Sequence, residues 1–83
     1  MNHPTMRAKF AVASVTKHEG GSETVSFNAV CKSGGYPEDG SDEDNTFAKF
    51  SPSAHCSIQI TNPALHGKFE SGQKFYVDFT PAP

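Results

Sequence analysis

Tryptophan is absent from this chain, cysteine occurs only twice, and no apolar run is long enough to cross a bilayer. Two cysteines without a CxxC spacing, and four histidines without metal-ligand spacing, do not make a zinc framework. No dense cluster of Lys and Arg appears, so the basic stripe of a long nucleic-acid binder is missing. The opening residues lack the charged-then-apolar pattern of a secretion signal. A cytoplasmic location is therefore the expectation, and there Cys31 and Cys56 stay reduced. Each falls on the apolar side of a strand-like run, which predicts two buried thiols.

Catalytic constellations are missing too. His55 and Cys56 are neighbours on a strand-like run, so their side chains leave opposite faces and cannot form a dyad. His66 could meet Asp78, but nothing in the sequence joins them. Without paired acids or a base-held nucleophile, the chain reads as a non-enzyme that needs no cofactor. Asp39, Ser41 and Glu43 alternate as calcium ligands can, yet the closing bidentate Glu of such loops is absent.

What is present is period-two alternation of β-branched and aromatic residues. Residues 7–17 read as a first strand with Phe10, Val12, Ser14 and Thr16 on one face. Lys9, Ala11, Ala13, Val15 and Lys17 occupy the other. A turn around Gly20-Gly21 leads into residues 24–32, where Val25, Phe27, Ala29 and Cys31 share a face. Residues 46–50 predict a short third strand with aromatics on both faces. Residues 54–61 and 74–80 supply two more, with Ile58 and Ile60 in one and Phe75, Val77 and Phe79 in the other. Between these last two, Asn62-Pro63 and Gly67 bracket a one-turn helix near 62–67, with Leu65 and Phe69 available to pin it to the sheet. The expected fold is all-β: a small antiparallel five-stranded sandwich or barrel, one domain over residues 1–83.

Charge is unevenly placed. Glu38, Asp39, Asp42, Glu43 and Asp44 gather in a Gly-rich loop over residues 33–45, expected to be solvated. Outside it, seven Lys/Arg face four acids, a mildly basic body suited to a small anion. Seven Phe and two Tyr supply the bulk of a core that is small at 83 residues. Chains of this size commonly cover sheet edges and spare apolar area by binding a copy of themselves. Arg7, Lys49 and Lys74 are the candidate anion contacts, Phe47 and Tyr76 the candidate stacking platforms, and Asn62 opens a turn whose amides could help.

The segments NTFAKFSPSAHCSIQITNPALHGKFESGQKFYVDFTPA and MRAKFAVASVTKHEGGSETVSFNAV resemble a group of small proteins encoded by tailed bacteriophages and prophages. The shared features are an opening strand, an aromatic-x-x-aromatic segment ahead of a proline, an NPxxxGKF turn and a closing YVDFTPA. This resemblance implies a phage accessory protein in the host bacterial cytoplasm and leaves its task open. Two tasks fit. One is sequestration of a nucleotide-derived host defence signal by a homo-oligomeric sponge. The other is virion decoration or assembly through protein–protein contacts, which would place the chain in the particle.

Overall fold

The computed structural model describes residues 4–83. Four strands follow in order: β1 (Met6–Lys17), β2 (Glu23–Ala29), β3 (His55–Ile60) and β4 (Lys74–Phe79). They form one antiparallel sheet in the order β3-β2-β1-β4. The all-β reading and the helical turn hold, but the strands number four, not five. With β3 and β4 as edges, the sheet is open; it is neither a closed barrel nor the two layers of a sandwich.

The β1–β2 hairpin forms where alternation meets a turn that tolerates unusual backbone. Gly20 and Gly21 take φ of +96° and +103°, a region costly for side chains with a Cβ. The His18 N–H donates to the Ser22 carbonyl at 2.9 Å and closes the loop. Pairing then runs Lys17 to Glu23, Val15 to Val25 and Val12 to Phe27. Between Val12 and Ser14 the register slips by one residue. That bulge moves Val15 onto the face of Phe10 and Val12, and removes Ser14 and Thr16 from it. The face assignment beyond Val12 is thereby corrected.

Ala8, Phe10 and Val12 of β1, Val25 and Phe27 of β2 and Ile60 of β3 are the buried apolar core. Phe10 pairs across to Phe75 of β4, and Phe27 to Cys56 of β3. Phe69 lies over this surface, its ring 6.0 Å from that of Phe27 and 5.4 Å from that of Phe75. Leu65, expected to help pin the same segment, is 45% exposed. What fastens the turn Pro63–Leu65 is polar: the buried Glu23 carboxylate accepts the Gly67 N–H, and a ring nitrogen of His66 meets the Ile60 carbonyl at 3.2 Å.

Residues 46–50 are not a strand. Thr46 makes one strand-like rung, donating its N–H to the Arg7 carbonyl at 2.9 Å while its hydroxyl accepts the Arg7 N–H at 2.8 Å. Then the chain turns: Ala48 N–H reaches the Asn45 carbonyl, and Phe50 takes φ of +63°. Five residues of alternation cannot outweigh a backbone that leaves the extended region at two points. The preceding acidic loop also proves structured where it meets β1. Asn45 is fully buried and Asp42 nearly so. Cys31 lies beyond the end of β2 and is exposed, contrary to the buried thiol expected; Cys56 is half-buried on the apolar face.

Candidate functional site

The sheet separates two chemistries. Its polar face carries three rungs between β1 and β4: Arg7 with Asp78, Lys9 with Tyr76, and Ala11 with Lys74. Arg7 grips Asp78 through two nitrogens, Nε to Oδ1 at 2.7 Å and Nη2 to Oδ2 at 3.0 Å. Its guanidinium carbon also stands 4.4 Å from the centre of the Tyr76 ring. The Tyr76 hydroxyl donates to Asp44 Oδ1 at 2.8 Å, and Lys9 Nζ lies 3.4 Å from Asp44 Oδ2. One network thus joins the start of β1, the middle of β4 and the acidic loop.

Its electrostatics follow from those contacts. Hydrogen bonding to Arg7 holds the Asp78 carboxyl below its ordinary value, and Asp78 in turn raises Arg7. The Tyr76 hydroxyl, then Lys9, lowers Asp44, while the bond to Asp44 raises Tyr76. Beside the loop, Lys32 and Glu43 pair at 2.9 Å, and their hydrogen bond raises Lys32 and lowers Glu43. Tyr36 is pushed up to about 12, first by desolvation and then by Cys31 and Asp42 beside it. Each cation of this network already faces a carboxylate, so little free positive charge remains at its centre.

The candidate ligand residues do not converge. Arg7, Lys74 and Tyr76 share the polar face. Lys9, Lys74, Phe75 and Tyr76 border a hollow of about 170 Å³ there. Phe47 packs against the core, Lys49 lines a separate open hollow of about 500 Å³ beside Asp42 and Glu43, and Asn62 caps the turn Pro63–Leu65. The Asn62 side-chain oxygen already accepts the Ala64 N–H at 3.0 Å. Asn62 follows the β3 end that pairs with Glu23, at the far end of β1 from Arg7. Neither Lys49 nor Lys74 forms an ion pair among the described residues. No group of three metal-ligating side chains occurs among them either.

The opposite face is apolar from β3 to β4, except at its hairpin end, where Lys17 pairs across to Glu23. By register it carries Met6, Ala8, Phe10 and Val12, then Val25 and Phe27, then Cys56, Ile58 and Ile60, with Phe75, Val77 and Phe79 on β4. Phe69, Phe47 and Ala54 cover part of it. Ile58 and Phe79, on the two edge strands, remain about half exposed, and Phe75 is 36% exposed. Between them, Met6, Phe10, Phe47, Cys56, Val77 and Phe79 line an apolar hollow of about 220 Å³. Comparisons with protein families, with characterised proteins and with solved structures find no match to this chain.

Sequence reasoning put weight on cations and missed their partners. Asp44 and Asn45 are given no role in the sequence reading, and Asp78 is weighed there only against His66, whereas its partner is Arg7. Arg7-x-Lys9 and Tyr76-x-Asp78 share a period of two, so an antiparallel pairing of the two runs could have found the Arg7–Asp78 rung. Nothing local marks Asn45 among the acids around it.

Proposed function

We propose that this chain is a non-enzymatic binding module that works by protein–protein contact through the apolar face of its sheet. Of the tasks implied by the resemblance to phage proteins, assembly or virion decoration is the one this geometry favours. One observation carries the reading: a four-stranded sheet with a continuous apolar side that its own chain covers only in part. Sheets in self-sufficient domains bury that side against a second layer. Apolar surface left open on a folded protein marks an interaction site.

Sequestration of a small anion is the second reading, supported by the hollow beside Lys74, Lys9 and Tyr76. Two paired experiments separate them. The protein is produced in an infected host, particles are banded on a density gradient, and the band is probed for this chain. Co-banding that is lost in Phe79→Asp and kept in Lys74→Glu is expected for the docking face. In parallel, purified protein is denatured by heat and the supernatant examined for intact nucleotides. Their release from the wild type but not from Lys74→Glu, with no co-banding, replaces the first reading by the second. No helix among the described residues is long and apolar enough to cross a membrane.

A further inference from the structure

We propose that the occupant of the apolar face is a second copy of this chain, packed face to face so that two four-stranded sheets close into a sandwich. This rests on the reading of that face as a docking surface and names its partner; the particle then takes up the pair, and Phe79→Asp loses co-banding because it splits the pair. Three observations point to a copy.

The first is area. A compact monomer of 8.9 kDa exposes about 4,800 Å². This chain exposes 5753 Å². The excess, roughly 900 Å², is close to the ~800 Å² that each partner buries in a standard specific interface. The second is shape. The Cα radius of gyration is 14.8 Å, against about 12 Å for a compact domain of this length, and the shortest extent is 15 Å. Two packed sheets lie about 10 Å apart, so a second copy adds the layer that the thin dimension lacks.

The third is where charge sits. Arg7, Lys9, Lys74 and Asp78 leave the sheet on the polar side. Glu23, the one carboxylate in register with the apolar residues, is 3% exposed and accepts the Gly67 N–H. The cation in register with Glu23 is Lys17, exposed at the hairpin end of β1. The rows from Met6 to Val15 carry no charge on this side, so two copies can approach through that part of the face without opposing like charges. Each presents aromatic side chains on one edge (Phe75, Phe79) and an aliphatic one on the other (Ile58). A two-fold axis along the strands lays each edge over its opposite, which makes the surface self-complementary.

The test is the solution mass of the full chain by light scattering during gel filtration, over a hundredfold dilution. The expected result is twice 8.9 kDa, falling to 8.9 kDa on dilution. Phe79→Asp and Ile58→Lys sit on different edge strands and replace half-exposed side chains. Each puts a charge where an apolar side chain would be buried between copies and should weaken association about 30-fold or more, with the far-UV circular dichroism retained. Gln59→Glu, on the polar side of β3, should leave the mass unchanged. An isotope-mixed wild-type sample provides a readout free of substitutions: contacts among Ile58, Phe75 and Phe79 should cross between copies.

A dimer with no such contacts between copies, and indifferent to both apolar substitutions, overturns the proposal. So does a higher oligomer. A monomer at every concentration that binds an anilinonaphthalene dye through the face, with binding lost in Phe79→Asp, removes the copy but leaves the docking face. A monomer that binds no dye removes both.

Discussion

The amide of Asn45 does with one side chain what another residue of β2 would do with its backbone. Past Ala29 the pairing with β1 is half lost: the Val30 N–H still donates to the Lys9 carbonyl at 2.9 Å, but without Asn45 the Lys9 N–H would be left without a partner. Asn45 Oδ1 accepts that N–H at 2.8 Å, and Nδ2 donates to the Val30 carbonyl at 2.8 Å and to Asp42 at 3.2 Å. Asp42 in turn accepts the Asp44 and Asn45 backbone amides. Asn45→Ala should cost about 2–4 kcal/mol, since it strands buried donors and acceptors together. Asn45→Asp keeps an acceptor for Lys9 but loses both donated bonds and faces the Asp42 carboxylate, so it should cost no less. Urea denaturation of both variants measures this; a loss below about 0.5 kcal/mol would place these bonds among the dispensable ones. The Arg7–Asp78 rung makes a second residue-scale prediction. The folded Asp78 carboxyl titrates below its ordinary 3.8, so between those two values the unfolded chain holds more protons. The stability it contributes is present above 3.8 and is lost as pH falls through the depressed folded value. In urea midpoints collected from pH 5 to pH 2, Asp78→Asn should lower the pH 5 value and flatten the acid decline. An unchanged acid slope would mean that the pair is equally formed in the unfolded chain.

Among the elements, β1 shows how far alternation can be trusted and where it stops. Before the bulge, Phe10 and Val12 face the core as a period of two requires. After it, only the extra residue explains why Val15 joins them. Removing Ala13 would restore an unbroken period: Val15 would stand two positions after Val12 and still face inward. The Ala13 deletion should therefore fold, losing about 1–2 kcal/mol with the local twist and the Ser71 hydroxyl bond to the Ala13 carbonyl. Deleting Ala11 instead shifts Met6, Ala8 and Phe10 out of phase with Val12 and should abolish cooperative unfolding. Circular dichroism with thermal melts compares the two; equal behaviour would show that β1 does not need its register. The same contrast explains what could be read from the chain. Four strands and the capped turn rest on signals within a few residues: alternation, paired glycines, Asn before Pro. The bulge, the rung at Thr46 and the exposed Cys31 depend on partners from about 12 to about 40 residues away or on where β2 ends. In residues 46–50, Phe47 and Phe50 suggest a two-faced strand. Phe50 instead folds back so that its ring lies where a Cβ on Gly40 would be, with Tyr36 at 6.0 Å. Gly40 itself takes φ of +74°, and the loop closes because that position carries no side chain.

At the scale of the whole molecule, an antiparallel sheet supplies hydrogen bonds to its backbone but needs a second surface to hide its apolar side. Here Phe69 and Phe47 are the chain's own covering, and among the described residues six apolar ones reach the buried state. A core that small gives little stability to a lone copy. Folding and association should therefore be coupled, and the coupling has a fixed size. For two unfolded chains in equilibrium with one folded dimer, a tenfold rise in protein concentration adds about 1.4 kcal/mol to the unfolding free energy at the midpoint. With a urea slope of about 2 kcal/mol/M for the pair, the midpoint should rise by roughly 0.7 M per decade of concentration. Phe79→Asp should remove that dependence and leave a low, fixed midpoint, because the charge opposes pairing while β4 keeps its rungs to β1. A wild-type midpoint independent of concentration, at concentrations where the mass is that of one chain, would show that the single sheet holds itself together. Phe69 and Phe47 would then be the second layer, and Ile58 and Phe79 would be ordinary surface residues.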